Sequence, residues 1–99
     1  MITTSAFAGK RYAVLGLART GQAAVASLVA GGARVVAWDA REEPRASVAD
    51  EYGDRVELAD PLTFDLAGFA GVVVSPGVPI NRHPIGDAAR GAGVPLICD

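Results

Sequence analysis

Apolar residues in this chain gather into short runs separated by longer mixed segments. Arg11-Tyr12-Ala13-Val14-Leu15 is one such run, bounded by Gly9 and Gly16. Arg34-Val35-Val36-Ala37-Trp38, Gly71-Val72-Val73-Val74-Ser75 and Val94-Pro95-Leu96-Ile97-Cys98 repeat the type, and Val56-Glu57-Leu58 is a shorter version. Continuous apolar, β-branched runs of this length predict parallel strands buried on both faces. Between the first two runs, Gly21, Ala24, Val25 and Leu28 recur at i, i+3, i+4 and i+7. That spacing predicts a helix from Thr20 to Ala30 with a narrow sheet-facing side, stopped by Gly31-Gly32.

The remaining segments carry weaker patterns. Arg41-Glu42-Glu43-Pro44-Arg45 reads as a polar loop, with Pro44 opening a short helix through Tyr52. Residues 60–69 read as loop with a weak helical turn, and Leu62, Phe64, Leu66 and Phe69 as core. A last helix is predicted from Pro84 to about Arg90, ended by Gly91-Ala92-Gly93. Phe7 is expected to fold back from a loose amino-terminal tail as a core plug. The alternation of strands and helices predicts an α/β fold: a Rossmann-like open parallel sheet of five strands with helices on both faces. Right-handed crossovers leave few topologies, and the order 3-2-1-4-5 is the one expected. Its switch point falls between the first and fourth strands.

Composition narrows the picture. Ninety-nine residues, 51% of them hydrophobic, suit one domain (residues 1–99) with a real core. The chain is small for a complete doubly wound enzyme, so a fragment of a larger protein is expected. The net charge is -2 and no lysine-arginine stripe occurs, which argues against nucleic acid as a partner. No apolar run is long enough to span a bilayer, and the first nine residues lack the basic start and apolar core of a signal peptide. Cys98 is the only cysteine, so no intrachain disulfide can form. A reducing, cytoplasmic location fits, with Cys98 read as a buried small residue.

The candidate chemistry lies at the carboxyl ends of the strands. Gly16-Leu17-Ala18-Arg19-Thr20-Gly21 joins the first strand to the first helix. Such a turn offers a phosphate the unpaired amides and positive dipole end of a new helix. Ala18 stands where a G-x-G-x-x-G turn would carry its second glycine, so a dinucleotide lying tight across the loop is disfavoured. An ordinary βα turn is the alternative. Asp39 closes the second strand, 23 positions after Gly16, near where nucleotide-binding units put a ribose-reading carboxylate. It could equally be a turn residue bonding its own backbone. Ser75-Pro76-Gly77-Val78 makes another side-chain-poor turn at the same edge, or a simple loop. His83, the only histidine, is read as loop or helix-entry packing, and no metal site is expected. There is no Gly-x-x-x-x-Gly-Lys-Ser/Thr loop for ATP and no visible nucleophilic triad, so no catalytic residue is assigned.

The three motifs, with His83-Pro84 downstream, resemble the N-terminal domain of a Mur ligase, of the branch that adds D-glutamate in peptidoglycan synthesis. The resemblance runs from Gly9 to Asp99. It implies a domain that holds the UDP part of UDP-N-acetylmuramoyl-L-alanine. It also implies ATP and magnesium on a central domain, and D-glutamate positioned largely by a C-terminal domain, with Asp99 near the junction. Residue by residue, it implies Ala18, Arg19 and Thr20 at the diphosphate, and Asp39 and Ala40 at the uracil edge. Arg41 would pack beside the base, and Ser75 and Gly77 would lie at the turn the ligand approaches. Two positions depart from the pattern: Ala18 replaces a common glycine, and Ala40 stands where a hydroxyl often sits. Two readings of other classes remain. One is an NAD-binding Rossmann regulatory or redox module, motivated by Gly16, Gly21 and Asp39; the other is a protein-interaction domain without a ligand.

Overall fold

Alternation along the central strands decides the layers. Val14, Val35, Ala37 and Val73 face one side of the sheet; Ala13, Leu15, Val36, Val72 and Val74 face the other. All nine are buried. The computed structural model describes residues 7–78 and 83–98. Its strands are β1 (Arg11–Leu15), β2 (Arg34–Trp38), β3 (Val56–Leu58), β4 (Gly71–Val74) and β5 (Leu96–Cys98). All pair in parallel, in the order β3-β2-β1-β4-β5. The expected α/β architecture and strand order are therefore the observed ones.

Helices cover both faces. Helix α1 (Arg19–Ala30) and helix α2 (Glu42–Tyr52) close one core through Val25, Leu28 and Val48. Helix α3 (Ile85–Ala92) closes the other through Ile85 and Ala89, together with Leu66 and Phe69 from the segment before β4. Gly21, Val25 and Leu28 form the buried face of α1, as the periodicity predicts. Phe7 does plug the α1 side: its ring stands edge-on to Tyr12 at 5.5 Å and lies directly over Gly31.

Several local expectations need correction. Helix α2 starts at Glu42, inside the segment read as loop. Pro44 is tolerated in the first turn because amides there have no intrahelical partner, and Glu42 and Glu43 suit the positive end of the dipole. Helix α3 runs through Gly91 and ends at Gly93, which takes the left-handed conformation at φ 71°. Strand β5 begins only at Leu96, because Pro95 has no N–H to pair, although its carbonyl accepts the Val72 amide at 2.9 Å. Leu62 is 38% exposed. It sits in a 3-10 turn, Pro61–Thr63, that buries Pro61 and turns Leu62 outward. Cys98 is exposed, not buried, because β5 is an edge strand and no described element packs over its last residues.

Candidate functional site

The register sets the site. Leu15 lies opposite Trp38 on one side and Val74 on the other, so the turns after β1, β2 and β4 leave the sheet abreast. This is the point where the chain's strand order reverses, the usual ligand edge of an open α/β sheet.

Gly16 joins the three turns. Its amide donates to the Trp38 carbonyl at 2.8 Å, and its carbonyl accepts the Ser75 hydroxyl at 2.8 Å. At φ 90° it occupies backbone space that suits glycine. Gly21 is required for a different reason. A Cβ there would stand 1.7 Å from the Gly16 carbonyl oxygen, so the first turn of α1 can lie on the loop only without a side chain.

Asp39, 8% exposed, braces the second turn. Its Oδ2 accepts the Leu17 amide at 2.7 Å and its Oδ1 accepts the Arg41 amide at 2.8 Å. The Arg41 Nε lies 3.5 Å from the same Oδ1. Burial works to raise the Asp39 pKa, but the two amides and the Arg41 charge outweigh it and hold the carboxyl below its ordinary value. Asp39 is thus an ionised clasp between the β1 and β2 loops.

Helix α1 begins without help. Its N-cap is Ala18, which has no capping side chain, and no acid lies in its first turn. The first helical bond runs from the Gln22 amide to the Ala18 carbonyl, so the amides of Arg19, Thr20 and Gly21 lie outside the ladder. Arg19 adds a cation at the end of the dipole that already repels one. An anion would relieve both conditions.

Beside this helix end opens a cleft of about 490 Å³. Six of the eight residues expected at the site line it: Ala18, Asp39, Ala40, Arg41, Ser75 and Gly77. Arg19 and Thr20 start α1 next to it. A Cβ on Gly77 would meet nothing within 4 Å, so space remains above that turn. Ser75 is buried and its hydroxyl is committed to Gly16, which makes it a brace between turns. A second cleft of about 450 Å³, with Arg11, Arg34, Arg55, Asp54 and Glu57, opens at the opposite end of the strands.

Three further contributors are not marked in the sequence. Leu17 acts through its amide, and Gln22 folds its side-chain amide onto the Leu17 carbonyl at 2.9 Å. Arg45 stacks 4.4 Å over Trp38 while its Nε donates to the Arg41 carbonyl at 3.1 Å. His83, read as helix-entry packing, does accept the Ile85 amide at the start of α3, and it also lines the cleft. Only the i to i+4 spacing of Arg41 and Arg45 was visible beforehand.

The fold and the site define a Rossmann-like α/β domain whose candidate ligand edge combines bare amides, small side chains and two arginines. Among the described residues, no helix is long and apolar enough to cross a membrane. Residues 10–98 match the family described as Mur ligase MurD-like, N-terminal domain, and the chain belongs to that family. It is 66% identical over 99 residues to the UDP-N-acetylmuramoylalanine--D-glutamate ligase of Novosphingobium aromaticivorans, all of this chain against 21% of that protein. The protein of the same name from Sphingopyxis alaskensis is 62% identical over 99 residues, all of this chain against 22% of that relative. That of Zymomonas mobilis is 46% identical over 104 residues, all of this chain against 24% of its length. The chain therefore spans about a fifth to a quarter of the length of these curated relatives.

Proposed function

We propose that this chain is the UDP-binding domain of an ATP-dependent ligase that joins D-glutamate to UDP-N-acetylmuramoyl-L-alanine in peptidoglycan synthesis, in the cytoplasm. The observation that carries the reading is the convergence of three turns on one cleft beside an uncapped helix start. The diphosphate would meet the amides of Arg19, Thr20 and Gly21, with Arg19 adding charge. The uracil would lie along residues 39–41, its edge at Asp39 and the Ala40 backbone, with the planar Arg41 guanidinium against the base. Gly77 leaves room for the ligand to cross the β4 turn. Ser75 and Asp39 contribute by fixing the loops as well as by lining the cleft.

ATP, magnesium and D-glutamate belong in this reading to central and C-terminal domains of the same protein. The chain has no P-loop, and among the described residues no three His, Cys, Asp or Glu side chains stand together to hold a metal ion. No step of bond formation is therefore assigned to these residues. The NAD reading is weaker, because Ser75 and Gly77 of the β4 turn line the same cleft and a dinucleotide module does not require that turn.

Amide shifts on titration with UDP and, separately, NAD test the reading. UDP at millimolar concentration is expected to move residues 16–21 and 39–41. Unmoved amides in both stretches would exclude the assignment, and a response to NAD lost in Asp39→Ala would favour the other class.

A further inference from the structure

His83 is half-buried on the wall of the cleft beside the start of α1, which it shares with Ala18, Ala40 and Arg41. Its Nδ1 accepts the backbone amide of Ile85 at 3.1 Å. A backbone N–H can only donate, so Nδ1 presents a lone pair there and carries no proton. The neutral ring must then hold its proton on Nε2. The two nitrogens face away from each other across the ring. His83 lines the cleft, and with Nδ1 committed to the Ile85 amide its Nε2–H is the ring's remaining polar group.

This tautomer decides what the side chain can do. A general base at Nε2 would need a lone pair, and a metal ligand at Nε2 would need the proton on Nδ1, where the Ile85 amide forbids it. What remains is a donor. In a cleft walled mainly by small and apolar side chains, a donor is matched by an acceptor oxygen on the ligand.

We propose that His83 is a ligand-binding residue of this cleft: its Nε2–H donates to an oxygen of the bound nucleoside diphosphate, and the Ile85 amide holds the tautomer that permits it. The inference rests on the UDP reading and adds a residue to it. His83 thereby couples the start of α3 to occupancy of the cleft.

The chain has one histidine, so its ring nitrogens can be followed without ambiguity by long-range proton–nitrogen correlation. The Nε2–H pattern is expected before ligand, and a shift of Nε2 on adding UDP. In His83→Asn, the amide oxygen can take the place of Nδ1 and keep the helix start, but no donor reaches the cleft. Affinity for UDP is expected to fall about tenfold. In His83→Gln, the side-chain amide reaches the former Nε2 position, and most of the affinity is expected to remain. An Nδ1–H pattern overturns the proposal. So does an unmoved ring with unchanged affinity in His83→Asn, while residues 16–21 still respond to UDP; the UDP reading then survives alone. If UDP moves neither residues 16–21 nor residues 39–41 of the unsubstituted chain, both fall. Should His83→Asn not fold, the ring shifts of the unsubstituted chain decide.

Discussion

The Leu17 amide donates to Asp39 Oδ2 at 2.7 Å, closing a contact between residues 22 positions apart. It ties the loop that precedes α1 to the loop that precedes α2, so the two walls of the cleft hold each other in register. Replacing Asp39 by Asn keeps the shape but substitutes an NH2 for one acceptor, and sets it against a backbone N–H. Asp39→Asn is expected to cost about 1–3 kcal/mol at pH 7, read by urea unfolding.

The same carboxylate gives the domain a pH dependence of known sign. The Asp39 pKa is lowered in the fold, against about 3.9 in an unfolded chain. Its contribution is fully present above about pH 4 and is lost as pH falls through the lowered folded value. The stability gap between the unsubstituted chain and Asp39→Asn is therefore expected to shrink on acidification from pH 5 to about pH 2. A gap that stays constant over that range would mean that the Asp39 pKa is the same in the folded and unfolded chain.

Two glycines at the site should behave oppositely. In Gly21→Ala the new methyl meets the Gly16 carbonyl oxygen, backbone that cannot step aside. A loss of about 3 kcal/mol or more is expected, or failure to fold. In Gly77→Ala the methyl enters open space, so stability should change by no more than about 0.5 kcal/mol. Affinity for UDP should nevertheless drop, because the methyl occupies room above the β4 turn. Thermal unfolding and UDP titration of the pair separate the two effects.

Ser75→Ala removes the hydroxyl that the buried Gly16 carbonyl accepts. The expected cost is about 1 kcal/mol in chemical unfolding, with a smaller loss of UDP affinity through the loosened turn. A larger loss of affinity than of stability would show that the hydroxyl meets the ligand directly.

How far these relations were legible differs from element to element. β1, β2 and β4 could be read because strands buried on both faces are near-continuous apolar runs, and the crossover rule then ordered them. The convergence of Gly16, Asp39 and Ser75 followed from that order. The role of Asp39 was half visible: its place at the end of β2 marked it, but its partner is a main-chain amide of Leu17, which leaves no trace in residue type. His83 was placed correctly at a helix entry, yet its cleft-facing side depends on how α3 packs against the sheet. Cys98 and Leu62 misled for the converse reason. An apolar residue signals burial only where another element arrives to cover it.

Arg45 gives a spectroscopic handle on the same region. Its guanidinium lies 4.4 Å over the indole of Trp38, the only tryptophan. Arg45→Ala is expected to alter Trp38 emission and cost about 0.5–1 kcal/mol. It should also weaken UDP binding, because the Arg41 carbonyl loses the side-chain donor that steadies the base-facing turn. Unchanged emission would place the Trp38 and Arg45 side chains apart in solution.

A crystal structure of this chain with UDP decides whether the cleft at the carboxyl ends of the strands is the nucleotide site. The diphosphate is expected on the amides of Arg19, Thr20 and Gly21, and the uracil beside residues 39–41 at the carboxyl ends of the strands. UDP seated instead in the cleft of Arg11, Arg34 and Arg55 at the opposite edge would contradict it.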